Sequence, residues 1–224
     1  MREQKFQHYT ELALRSVYSE PEGGFHSQLI PKMVEQFFDP VELPVTSYVL
    51  DIGCGQGLFM DILKAKGFTN LVGVTLSDDD LIACGDKWHS CLKSDMSDLP
   101  VPSGIVDYVW CRHALEHSPY PLFTLYEFNR VMKKGSKMYV EVPAPDCARK
   151  HEFNPNHYSI LPSNMWVALM QRAGFTVQAA HTISFELVSE EGAVPETNLI
   201  FLLEKHETVV QERTYATDEE VYCG

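Results

Sequence analysis

The 224 residues, 45% of them apolar, suffice for one sizeable core, and no apolar run approaches the ~18 residues that a membrane span requires. Eighteen basic against 31 acidic residues give a formal net charge of −13 at pH 7, a field that repels nucleic acid and other polyanions. The opening MREQKFQHYT lacks the apolar core of a signal peptide, and the six cysteines (54, 84, 91, 111, 147 and 223) fall mostly in predicted core elements, so free thiols in a reducing cytoplasm are expected.

Residues 1–45 carry two amphipathic stretches, Tyr9 to Tyr18 and His26 to Phe38, split by the turn SEPEGG. They read as helices preceding a core over 46–205, and the charged, aperiodic stretch 206–224 reads as a loosely held tail. The core opens with VLDIGCGQG, Val49 to Gly57: a short strand (Tyr48, Val49, Leu50), an acid and three alternating glycines, with a helical stretch from Leu58 to Lys66 behind. Glycines at 53, 55 and 57 let the chain bend sharply and let a ligand lie against the peptide planes, facing the unpaired N–H groups of the helix start. Spacing narrows the ligand. In the dinucleotide fingerprint G-x-G-x-x-G the third glycine would stand at 58, which is Leu58, and a nicotinamide oxidoreductase is disfavoured. Asp51, two residues before the first glycine, repels a pyrophosphate and suits an ammonium or hydroxyls.

Gly67 stops that helix, and Leu71 to Leu76 is a second strand, so the sheet begins as a parallel βαβ unit. Ser77 caps the next helix, with Asp78, Asp79 and Asp80 as favourable charges in its first turn. In CGDKWHSC, Cys84, His89 and Cys91 are potential soft ligands, but a structural zinc site needs four. They read as two core thiols and a loop histidine, and no metal is expected. Cys91 to Ser94, Val106 to Cys111 and Met138 to Val142 are the third to fifth strands. A helix from Tyr120 to Met132 is ended by Lys134 and Gly135, with Glu127 and Arg130 paired on it. Pro162 to Ala173 is the last helix. Strands from Phe175 towards Phe185 and from Asn198 to Glu204 follow, parted by a polar loop over 189–197, and without a helix between them they must pair antiparallel.

Several separated positions agree with one family. The loop 51–57 reads D-x-G-x-G-x-G; Asp95 precedes Leu99-Pro100 and Asp107; Leu115-x-His117 follows; and Leu125, Glu127, Arg130, Val131, Lys133 and Gly135 read L-x-E-x-x-R-V-x-K-x-G. The chain resembles the class I S-adenosylmethionine-dependent methyltransferases of the small-molecule branch, over roughly residues 45–205. The resemblance implies a doubly wound, Rossmann-like α/β fold: seven strands, mostly parallel with a C-terminal antiparallel hairpin, helices on both faces, and a site at the carboxyl ends of the strands. It further implies S-adenosylmethionine as cofactor, held by Asp51, Gly53, Cys54, Gly55, Gln56, Gly57, Thr75, Leu76, Asp95, Met96, Arg112 and His113. Asp95 would read the adenine amine, Met96 would cover the ring, and the sulfonium would lie near Cys54, Arg112 and His113. Residues 1–45 would form a lid, with Tyr9, Tyr18, Phe25 and His26 able to touch ligand or simply to dock the helices.

This sequence departs from the family at Thr75, where an acid usually holds the ribose hydroxyls; Asp78 is an alternative partner. The wording G-V-T-L-S also resembles the cyclopropane-synthase branch, so other chemistry with the same cofactor on a lipid or sugar is a runner-up, as is a binding protein without turnover. Methyl transfer is an in-line displacement that depends on alignment and exclusion of water, with a base only where the acceptor must lose a proton. His113 is the candidate base, His117 a brace for its loop, and His151 and His157 candidate linings of the acceptor pocket. The P-P-Y-type motif of DNA amino-methyltransferases and the glutamate pair of protein arginine methyltransferases are missing, which favours a small or sugar-like acceptor. The oligomeric state is left open.

Overall fold

A computed structural model describes residues 2–14, 25–87, 89–189 and 192–209. Two helices, α1 (Arg2–Ala13) and α2 (Phe25–Met33), precede the sheet, and α2 runs on through a π-helical turn over Val34–Phe38. There follow β1 (Tyr48–Ile52), α3 (Leu58–Ala65), β2 (Asn70–Thr75), α4 (Asp78–Asp86), β3 (Ser90–Lys93) and β4 (Val106–Arg112). The remainder is α5 (Pro121–Val131), β5 (Met132–Pro143), α6 (Ser163–Arg172), β6 (Phe175–Ser189) and β7 (Gly192–Lys205). The seven strands form one sheet in the order β3-β2-β1-β4-β5-β7-β6. The first five strands are parallel, and β7 runs antiparallel to both β5 and β6. The expected architecture is therefore present, and strand order reverses between β1 and β4.

Both faces are buried, and alternate residues of the central strands are divided between two cores. Leu50, Val109, Cys111, Val140 and Phe201 face α5 and α6, meeting Leu125, Phe128 and Trp166. Val49, Tyr108, Trp110, Tyr139 and Ile200 face the other way, against Phe59 and Leu63 of α3 and against Ile30, Met33, Val34, Phe37 and Phe38. Trp110 lies stacked between Phe59 and Tyr139, with ring centroids at 4.4 and 4.1 Å, and Phe38 meets Phe59, Phe68 and Tyr108 edge-on. Residues 30–38 thus complete one layer of the core. Of the aromatics expected near ligand, Tyr9 is exposed, Tyr18 lies outside the described residues, and so do the side chains of Phe25 and His26.

Three boundaries differ from expectation. α5 ends at Val131, and Met132 already belongs to β5, because Lys205 reaches across from β7 and its buried ammonium donates to the Asn129 and Met132 carbonyls at 2.6 and 2.8 Å. That cation closes the helix end electrostatically, so Gly135 is not the stop. The expected loop over 189–197 is largely strand: β6 and β7 pair from Phe175↔Lys205 out to Ser189↔Gly192, and Pro195 is tolerated because β5 pairs with β7 only from Asn198 onward. Residues 206–209 are anchored: His206 N–H donates to the Gly174 carbonyl, and Asn129 Nδ2 donates to the Glu207 carbonyl at 2.9 Å. The rest of the tail lies outside the described residues.

Candidate active site

The cavity at the strand-order reversal, about 280 Å³, is formed at the carboxyl ends of β1 to β4. Its construction begins with the turn after β1. Gly53 and Cys54 N–H groups both donate to the Val74 carbonyl of β2, and Gly53, Gly55 and Gly57 have φ of 69°, 50° and 81°, backbone that L side chains rarely adopt. A Cβ on Gly53 would stand 2.6 Å from the Ala114 Cβ, so this glycine lets the β1 and β4 loops close on each other. A Cβ on Gly57 would meet His89 and Cys84 at 2.9 and 3.2 Å.

Of the expected cofactor residues, Asp51, Gly53, Cys54, Gly55, Thr75, Leu76, Asp95, Met96, Arg112 and His113 line the cavity. Gln56 and Gly57 do not line it. The turn carries them to its outer side, where the Gln56 carbonyl accepts from Lys87 Nζ, so the Gly57 vacancy serves packing. Asp78 is exposed and paired with Lys93, whereas Asp80, two residues on, is buried and lines the cavity. Asp80 was legible as an acid in a helical first turn but not as a wall of the site. Thr75 is buried, and its Oγ1 accepts the Ser77 N–H at 3.1 Å, which leaves its own proton to donate. Burial is the main influence on Asp95 and raises its pKa, partly offset by the Ser97 N–H that its Oδ1 accepts at 2.9 Å.

The far wall rests on a buried polar network that the sequence reading missed. Glu141 of β5, fully buried, accepts from Arg112 Nε at 2.7 Å, from Tyr139 Oη at 2.8 Å and from Asn198 Nδ2 at 2.6 Å. Burial acts to raise its pKa, but the Arg112 charge and the His113 contact dominate and hold it well below the usual carboxylate range. Only the alternation of a carboxylate with apolar residues on a central strand could have flagged it.

His113, at the left-handed φ of 49°, is engaged on both ring nitrogens: Nδ1 lies 3.4 Å from Glu116 Oε1, and Nε2 lies 3.0 Å from Asn198 Nδ2 and 3.4 Å from Glu141 Oε1. Burial disfavours its charge, yet the two carboxylates outweigh this and raise its pKa above the ordinary histidine value. The Asn198 amide nitrogen, by contrast, suits a neutral ring with the proton on Nδ1. In either state both nitrogens face protein groups. His117 lines the cavity and its Nδ1 donates to the Asn156 carbonyl at 2.8 Å, the bracing expected of it. His151 is bound to Glu196 at 2.9 Å and His157 to Asn154, and it is Asn156 and Tyr158 of the same loop that reach the cavity.

The three potential soft ligands of the CGDKWHSC stretch separate. His89 Nε2 pairs with Asp61 at 2.8 Å, while Cys84 and Cys91 converge on Cys54, a third thiol not grouped with them from sequence. All five described cysteines are free, and Cys223 lies outside the described residues.

A family model described as a methyltransferase domain matches residues 24–181. The chain belongs to this methyltransferase-domain family. S-adenosylmethionine is accordingly its cofactor, and the donor set fits it: Asp51, Asp80 and Asp95 offer carboxylates to a ligand of net positive charge, Thr75 and Ser77 offer hydroxyls, and Met96, Phe59 and Trp110 offer apolar surface. Among curated relatives, an uncharacterised chloroplastic methyltransferase of Arabidopsis thaliana is 28% identical over 116 residues, 46% of this chain and 32% of its own. The methyltransferase GfsG of Streptomyces halstedii is 25% identical over 117 residues, 49% of this chain and 42% of its own. The matches thus span less than half of either relative. A S-adenosylmethionine-dependent methyltransferase from Archaeoglobus fulgidus superposes with a TM-score of 0.65 at 20% identity, covering 89% of this chain and all of that one. The [4+2]-cyclase SpnF superposes at 0.66 with 17% identity, covering 86% and 87%. These likenesses concern the fold. No helix among the described residues is long and apolar enough to cross a membrane.

Proposed function

We propose that the protein transfers the methyl group of S-adenosylmethionine to a small-molecule or sugar-like acceptor. The observation that carries this reading is the cavity at the strand-order reversal, lined by one acid each from β1, the first turn of α4 and the turn after β3, together with His117, Asn156 and Tyr158. When bound, the cofactor supplies an electrophilic methyl on a sulfonium. The chain's part is to hold and align. Asp51 and Asp80 suit the ammonium and hydroxyls, Thr75 donates to the ribose, and Asp95 with Met96 takes the adenine. Arg112 and His113 keep the β4 end rigid through Glu141, and the walls exclude water. His113 positions rather than accepts a proton.

That the fold of a [4+2]-cyclase superposes equally well means the chemistry rests on the site and not on the architecture. Calorimetry tests the cofactor placement. Asp51→Ala should weaken S-adenosylmethionine binding roughly 10- to 100-fold, the worth of a hydrogen bond to a charged group, and Gly55→Asp should weaken it at least as much by filling the cavity wall. Unchanged affinity in both variants would falsify the placement. Labelled methyl incorporation into pools of small acceptors tests turnover, and cofactor binding without any incorporation favours a binding protein without turnover. His113→Gln should leave the pH dependence of kcat unshifted; loss of its acidic limb would restore His113 as the base.

A further inference from the structure

Three thiols from three elements meet behind the cofactor turn. Cys54 follows β1, Cys84 lies on α4 and Cys91 on β3, and their Sγ atoms all lie within 4.8 Å of one another. Cys54 and Cys84 are buried and Cys91 is half-buried, in surroundings otherwise made by Met60 and Leu71. The backbone has been cleared for them: a Cβ on Gly73 would stand 2.7 Å from the Cys54 Sγ, and one on Gly57 would stand 3.2 Å from the Cys84 Sγ. Both Cys54 and Cys84 also point at one acceptor, the Gly55 carbonyl, at 3.6 and 3.3 Å.

We propose that Cys54, Cys84 and Cys91 form a binding site for a thiophilic d¹⁰ cation, of the zinc, cadmium or copper(I) class, that ties the cofactor turn to α4 and β3. A trigonal or tetrahedral centre with metal–sulfur bonds of about 2.3 Å spaces its sulfurs about 4 Å apart, so the three thiols need close by less than an ångström from their present limit. Soft thiolates select such ions over magnesium or calcium. Metal binding would deprotonate the thiols, each sulfur exchanging its proton for a bond to the ion, with the protons released to solvent and no change of oxidation state. The fourth position is left to solvent or an exogenous ligand, since His89 is drawn off by Asp61. Because Cys54 also lines the cofactor cavity, occupation of the site must alter cofactor affinity, and the coupling is reciprocal.

Chelator-stripped protein titrated with Cd²⁺ gives the test. One equivalent should produce saturable sulfur-to-cadmium charge-transfer absorption, proton release in weakly buffered solution and a higher melting temperature. Cys91→Ala, at a half-buried position on the sheet edge, should fold and lose all three signals, and Cys111→Ser, a buried thiol outside the cluster, should retain them. Cofactor affinity measured with and without Cd²⁺ should differ in the wild type and agree in Cys91→Ala. A wild-type protein that takes up no stoichiometric Cd²⁺, or a Cys91→Ala variant that binds it as tightly as the wild type, overturns the proposal and leaves the cofactor placement untouched.

Discussion

The two walls of the cavity are built on different principles. On the β1–β3 side the groups come from the strand ends, turns and helix start of consecutive elements, and the backbone itself does the shaping: three glycines with positive φ, two N–H groups on one carbonyl, a capped helix start. On the β4–β5–β7 side the shape is held by side chains up to 85 residues apart, with Arg112, His113, Asn198 and Tyr139 gathered on Glu141. The first wall is cheap to specify and tolerant of drift elsewhere. The second is rigid but brittle, because a buried charge network is stable only when complete.

The largest effect expected from breaking that comparison is at Glu141. Glu141→Ala leaves the buried Arg112 guanidinium without its carboxylate and should destabilise the protein by about 3 to 5 kcal/mol in urea unfolding. Glu141→Gln, which keeps the shape, should lose less. The pH dependence follows in sign: the folded-state pKa is depressed, so the stabilisation is present above the unfolded value of about 4.3 and drains away as pH falls through the folded one. A loss below about 1 kcal/mol for Glu141→Ala would mean that the network is not what holds the second wall.

The next effect belongs to the first wall, where Gly53→Ala places a methyl 2.6 Å from the Ala114 Cβ in a left-handed backbone. Overpacking and strain together should cost about 2 to 4 kcal/mol. Gly104→Ala is the control for strain alone, since φ there is 67° with open space around it, and should cost about 1 kcal/mol. Equal losses at the two positions would remove the close approach of the β1 and β4 loops as a determinant of the site.

The same division explains what could be read from the sequence. The strand, turn and helix of the first wall are contiguous, so periodicity, glycine spacing and the Ser77 cap located them, and Asp51, Thr75 and Asp95 stand on the cavity as expected. No motif marks Glu141 or Asn198, which look like ordinary interruptions of apolar strands until the sheet order places them opposite Arg112 and His113. The end of α5 was misread for the same reason, since its closing charge, Lys205, is supplied from 73 residues away. Gln56 and Gly57 differ in the other direction: motif membership groups them with the cofactor residues, whereas neither lines the cavity.

The smallest effect sharpens the comparison at the rim, where His117 and the loop over 151–158 meet. Burial is the main cause holding the His157 pKa down at about 4, with Glu116 opposing and His117, His151 and His113 adding to it. The unfolded chain therefore binds more protons than the folded one between about pH 6.5 and pH 4, so stability falls as the solution is acidified through that window. His157→Gln removes this contribution and should flatten the stability profile between pH 6.5 and 4 while changing the value at pH 8 little. The His157 ring packs on His151 at 5.2 Å and on His117 at 4.8 Å, so hydrogen exchange of residues 151–158 should report the same acid loosening locally before the sheet is affected. Exchange that rises uniformly across the sheet and this loop would instead tie the acid response to Glu141 and make the rim a passenger of the network beneath it.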